Sequence, residues 1–152
     1  MLNKDYKEML QSLLNNEVRF LVVGAYAMGA YGYPRATGDF DIWVEASSEN
    51  SKKVYKSLSA FGAPLSDITE DTFLKEGIVF QIGVAPRRID IITHIDGVSF
   101  KDAYETQKKI KIENLEIPFL SKENLIKNKQ ATGREKDRLD AAYLKERDSK
   151  GS

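Results

Sequence analysis

The stretch "GAYAMGAYGYPRATGDFDIWVE", residues 24–45, decides how this chain is read. Its last third, "DFDIWVE", alternates like a strand, with Phe40, Ile42 and Val44 on one face and Asp39, Asp41 and Trp43 on the other. Two aspartates one residue apart project to the same side, their Cα atoms about 6–7 Å apart by strand geometry. They are either polar residues on a half-exposed strand or a pair converging on a divalent cation. Hard cations such as Mg²⁺ or Mn²⁺ take carboxylate oxygens and complete their shell with water and substrate phosphates.

Upstream, "VRFLVVG" is a nearly continuous apolar run ending in Gly24, as expected of a buried strand. "AYAMGAYG" follows as a short helix weakened by its internal glycines. Strand, glycine and helix start together offer unpaired backbone N–H groups and a positive dipole end to a phosphate, with Gly24 and Ala25 at the turn. The turn alone would also require a glycine. The loop "YPRATG" carries Arg35, able to fork onto phosphate oxygens, and Thr37, able to donate to a phosphate or cap the turn. Further on, "RRIDIIT" places Asp90 in the middle of an apolar strand, on the same face as Arg88 and Ile92. A carboxylate among isoleucines is costly to bury unless paired or metal-bound. Beside "DFDIWV" it makes a third converging carboxylate; an ion pair with Arg87 or Arg88 is the alternative.

The rest of the chain is ordinary in composition. It has 152 residues, enough for one domain with a core, and 41% hydrophobic and 30% charged residues. The formal net charge is zero, so nothing global argues for nucleic acid. There is no cysteine, hence no disulfide or thiolate metal site, which fits a reducing cytoplasm. The start has no signal-peptide h-region, and no apolar run approaches the roughly 18 residues of a membrane span. The expected location is cytoplasmic, with no membrane partner.

Periodicity and punctuation predict an opening helix over "NKDYKEMLQSLLNNE" with Asn3 as N-cap, and a helix over "SSENSKKVYKSLSAFG" closed by Gly62. "IVFQIG" and "RRIDIIT" are strands joined by a Pro-containing turn, and "SFKDAYETQ" is a short helix capped by Ser99. "KKIKIENLEIPFL" reads as an exposed hairpin or two short edge strands, and two helices follow from Ser121. The order predicts a single α/β (α+β) domain over 1–147, a mixed sheet flanked by helices, with a disordered tail at 148–152.

The pattern G-x-x-A-x(3)-Y-G-x-P-R-x-T-x-D-x-D, followed by an aspartate on a later strand, resembles the minimal nucleotidyltransferases of the DNA polymerase β superfamily. The AbiEii-like branch, some of whose members are toxins of toxin–antitoxin pairs, is the nearest pattern. "LIKNKQATGREKDRLD" is similar to that branch's K-x(4)-R-x-K-D-x-x-D signature, carried by Lys129, Arg134, Lys136, Asp137 and Asp140. The resemblance spans roughly residues 18–144. It implies a nucleotidyltransferase-like mixed sheet with C-terminal helices and an NTP donor. It further implies Mg²⁺ or Mn²⁺ held by Asp39 and Asp41, with Asp90 as third metal ligand and general base. Gly24 and Ala25 would approach the triphosphate, Arg35 and Thr37 would form its lip, and Lys129 would face the phosphates. The acceptor would be RNA, a protein or a small molecule, and an antitoxin-like protein would be the partner.

The chain departs from the superfamily at Ala25, where many members carry a serine; only the backbone N–H remains for a phosphate. A nucleotide-binding or interaction module of the same fold with little or no activity is therefore the competing reading. A plain metal-binding structural domain is a third. Without the family pattern, Lys136, Asp137 and Asp140 would be helix-stabilising pairs. His94 reads as structural, and Trp43 and Tyr26 as core or base-stacking aromatics.

Overall fold

A computed structural model describes residues 2–33, 39–84 and 86–151 of the chain. The chain folds as α1 (Lys4–Asn15), β1 (Phe20–Val23), α2 (Gly24–Ala30), β2 (Asp39–Val44), α3 (Ser48–Phe61), β3 (Val79–Ile82), β4 (Arg88–Ile92), α4 (Phe100–Glu105), β5 (Lys108–Ile112), β6 (Leu115–Phe119), α5 (Lys122–Ala131) and α6 (Glu135–Gly151). A single 3₁₀ turn, Thr72–Leu74, lies between α3 and β3. The six strands form one mixed sheet in the order β3-β4-β2-β1-β6-β5. The result is an α/β fold with helices flanking the sheet.

Local chemistry accounts for most of these elements. Asn3, Ser47, Ser99 and Ser121 each cap a helix by accepting a backbone N–H from three residues on. Gly62 ends α3 in the left-handed conformation, at φ 94°. Glu113 and Asn114 both have positive φ, which gives a two-residue hairpin turn between β5 and β6. β1 is buried along its whole length, as its continuous apolar run requires.

Sheet register fixes two faces. On one, Phe40 of β2 stacks on Tyr6 of α1 with ring centroids 4.6 Å apart. The Tyr6 hydroxyl donates to the carbonyl of Arg88 at 3.2 Å, so α1 also pins the start of β4. Ser12 of α1 donates to the Ser57 carbonyl of α3 at 2.7 Å, keeping the two helices in one layer. Asn50 of α3 closes the far end of the sheet: its amide pairs with the backbone of Arg19 and donates to the Glu45 carbonyl. On the other face, Trp43 is buried edge-on against Phe100 of α4, at 5.1 Å. It is a core residue. Along β2 this second face is therefore covered at Trp43 and more open at Asp39 and Asp41.

Three expectations change in detail. β5 is the sheet edge, but β6 lies inside the sheet, paired in parallel with β1 and antiparallel with β5. Ile117–Phe119 are buried there, so the hairpin is exposed on its lysine-rich strand, its turn and Glu116 but not along the end of β6. α6 runs on through 148–151, where a tail was expected, because no helix breaker precedes Gly151. Among the described residues no helix is long and apolar enough to cross a membrane.

Candidate active site

β2 and β4 run parallel with Asp39 opposite Arg88 and Asp41 opposite Asp90. Register partners in neighbouring strands point to the same face, so the pleat sets all three carboxylates and the guanidinium on one side. Arg88 Nη2 donates to Asp39 Oδ2 at 2.8 Å and to Asp90 Oδ2 at 3.2 Å. Its Nε lies 3.0 Å from Asp90 Oδ1, a close charge contact without hydrogen-bond alignment. Arg88 thus spans Asp39 and Asp90. Asp41 forms no ion pair among the described residues and lies within hydrogen-bonding reach of Asp90. Burial, then the negative charges of Asp90 and Asp39, push its pKa up to about 6.

Gly24 sits directly against this carboxylate. It has φ +67°, and a methyl in place of its hydrogen would overlap the Asp41 carboxyl group. Glycine is required twice over, for the left-handed backbone and for the close approach. Gly24→Ala is expected to destabilise the fold by about 1–2 kcal/mol from the left-handed backbone alone. It should also displace Asp41; urea unfolding of the two proteins measures the first effect. α2, which starts here, has no side-chain N-cap. Ala25 is at its first turn but does not line the cleft described next.

A cleft of about 260 Å³ opens over Asp41 and Gly24. Its far wall is α5 and the α5–α6 turn, with Asn128, Lys129, Thr132, Arg134 and Asp137. The segment after β4 supplies His94, Ile95 and Asp96. His94 lies 3.2 Å from both Glu76 and Asp96 and is raised in pKa, chiefly by the Glu76 contact. Asn128 donates to the Asp96 carbonyl at 2.9 Å.

Lys129 reaches the cleft wall, but its ammonium is held from behind. It lies 3.2 Å from Asp137 Oδ1 and 3.4 Å from Asp140 Oδ2, both on α6. Thr132 donates to Asp137 Oδ2 at 2.7 Å, and Arg134 Nε donates to the same oxygen at 2.8 Å. Burial raises the Asp137 pKa, yet the Thr132 hydrogen bond and the charges of Lys129 and Arg134 outweigh it and leave it lowered. The Lys-Arg-Asp-Asp signature therefore clamps α6 onto α5. Lys136 takes no part in these contacts. The pairs run mainly between helices and not along one, so i,i+4 pairing is the wrong account of them.

The register thus sets Asp39, Asp41 and Asp90 on one face, with Gly24 against Asp41; Asp41 and Gly24 line the cleft with Lys129 across it, and Asp39 and Asp90 are not part of its lining. Arg35 and Thr37 lie outside the described residues. Tyr26 packs edge-on against Tyr6 and Phe40 at 5.4 and 4.9 Å, with the core cluster. The ion pair of Asp90 with Arg88, the alternative that the sequence offered, forms here; the reach of Arg88 on to Asp39 was not anticipated. Thr132, Asn128 and Asp96 had no signal in the sequence, since only the packing of α5 brings them here.

The donor set suits a hard cation in part. Asp41 and Asp90 adjoin with a deficit of positive charge, the condition a divalent ion relieves. Asp39 and one side of Asp90 are engaged by Arg88, and among the described residues no three His, Asp, Glu or Cys side chains are grouped as a ready metal site. One or two carboxylates with substrate phosphates suffice for Mg²⁺, so the residues fit the ion when it arrives with a nucleotide.

Compared with known proteins, the chain matches no protein-family model and no curated protein. Among solved structures it is similar to a candidate nucleotidyltransferase from Thermotoga maritima, with TM-score 0.62 and 19% identity, covering 97% of each chain. The fold is nucleotidyltransferase-like. The likeness covers nearly the whole chain; in this sheet Asp41 and Asp90 lie on the neighbouring strands β2 and β4.

Proposed function

We propose that the chain is a metal-dependent nucleotidyltransferase that moves NMP from an NTP to an acceptor hydroxyl. The observation that carries this is the register Asp41 opposite Asp90, with Gly24 packed on Asp41, within a nucleotidyltransferase-like fold. Mg²⁺ or Mn²⁺ would be held by Asp41 and Asp90, with Asp39 as a further ligand. Bound there, it would neutralise the triphosphate and lower the pKa of the attacking hydroxyl. Gly24 lets the backbone come close to the phosphates at the start of α2. Asp90 takes the acceptor proton as the acceptor oxygen bonds to the α-phosphorus, the bond to the β-phosphate oxygen breaks and pyrophosphate leaves. Arg35 and Thr37 are of residue types that would bind phosphate oxygens, and Lys129 would add positive charge across the cleft. The AbiEii-like branch and a toxin-like role beside an antitoxin-like partner follow from the paired motifs of residues 24–41 and 129–140. The acceptor is RNA, a protein or a small molecule.

Ala25 and the Arg88 contacts favour a second reading, a nucleotide-binding module of the same fold with weak or no activity. Thermal denaturation with ATP, CTP, GTP and UTP, each with and without Mg²⁺, should show stabilisation that requires the metal. No shift with any pair would sink both readings. Incubation with α-labelled NTP and total RNA or cell extract then separates them. Label transferred by the wild type and lost in Asp39→Asn supports the enzyme.

A further inference from the structure

We propose that Arg88 is a built-in counter-cation that occupies the carboxylate site in the free protein and competes with divalent metal for it. The inference rests on the reading of Asp39, Asp41 and Asp90 as cation ligands. The geometry is specific. Arg88 holds Asp90 through two nitrogens, at 3.0 and 3.2 Å, and reaches Asp39 with Nη2 at 2.8 Å. One hydrogen bond and one close charge contact to a single carboxylate, with a donor shared with a second, use the breadth of a guanidinium in a way that a compact ammonium cannot reproduce. The strand register makes it obligatory: Asp39 is the residue opposite Arg88, and Asp90 is two residues along the same face.

Two of the three carboxylates therefore already carry a positive partner, and a bare divalent ion must share or displace it. A cation sharing the site also meets the repulsion of the guanidinium at close range, where screening by salt is slight. A metal–triphosphate complex differs, because its phosphate oxygens are acceptors to which the freed guanidinium can transfer. The contact thus makes the site poor at binding metal alone and selective for metal delivered with nucleotide.

Mn²⁺ titration of the full chain without nucleotide, by calorimetry, tests this. Arg88→Gln is expected to bind Mn²⁺ at least about tenfold more tightly than wild type. Arg88→Lys, which keeps the charge but loses the span across both carboxylates, should fall between the two. Adding Asp41→Asn should abolish the gain. Circular dichroism and thermal melts establish that each variant is folded; if Arg88→Gln does not fold, Arg88→Lys decides. Affinity at or below wild type in the folded Arg88 variants overturns the proposal. If Asp41→Asn alone still weakens wild-type binding, the carboxylate reading stands without it. Binding indifferent to Asp41→Asn in both backgrounds overturns the metal site and the proposal together.

Discussion

Asp41→Asn is expected to stabilise the ligand-free protein at neutral pH while removing the nucleotidyl transfer proposed above. Asp41 is half-buried beside two other carboxylates, and its pKa rises from 3.8 to about 6. A raised carboxyl pKa means that the folded state holds a proton which the unfolded chain has already released. Between those two values stability falls as pH rises, and the loss levels off once pH is well above 6. A shift of this size corresponds to about 3 kcal/mol. An asparagine has no charge to desolvate, so the difference between variant and wild type should be small near pH 4 and grow to about 2–3 kcal/mol by pH 7. Urea unfolding at pH 4, 5, 6 and 7 measures it. A variant less stable than wild type at pH 7 would contradict the picture of an uncompensated charge. Transfer from α-labelled NTP should fall by about three orders of magnitude or more, the scale of losing charge stabilisation at a reacting phosphate. Stability gained with activity lost marks a group kept for chemistry.

The second large effect is at Lys129. Lys129→Met keeps much of the volume and removes the ammonium that faces Asp137 and Asp140, which are only 3% and 4% exposed. Removing one partner from a buried ion pair leaves an uncompensated charge and costs about 3–5 kcal/mol. Arg134 and Thr132 still satisfy part of Asp137, so the lower end of that range is expected. The unfolding midpoint in urea should fall accordingly. A loss below about 0.5 kcal/mol, the scale of a solvated helix pair, would return Lys129 to a phosphate-facing role alone. The Asp137 term has its own pH signature. Its pKa is lowered in the fold, so its contribution is present above the ordinary carboxylate range and is lost as pH falls through the lowered value.

Much of this protein was legible from residue order because the governing interactions are local. Caps at Asn3, Ser99 and Ser121, the stop at Gly62 and the strand alternation of "DFDIWV" all depend on neighbours within four residues. The same holds for Asp39 and Asp41 sharing a face, since strand pleat alone sets that. That Asp90 would join them was a conditional inference: a costly carboxylate among isoleucines needs a partner, and adjacency of the two strands had to be supposed.

What residue order left open is whatever depends on which strands and helices meet. The parallel pairing of β2 with β4 sets Asp39 opposite Arg88, and only that register turns an ordinary strand arginine into a bridge between two carboxylates. The insertion of β6 between β1 and β5 buries half of a hairpin that its alternation would leave exposed. The packing of α6 on α5 brings Asp137 and Asp140 to Lys129, across a turn that either helix alone would leave undirected. Sequence by itself determined the elements, the fold class and the carboxylates, because backbone propensity and the cost of burying charge act residue by residue. Tertiary structure decided how those charges are compensated, because long-range pairing sets the distances on which electrostatic energies depend.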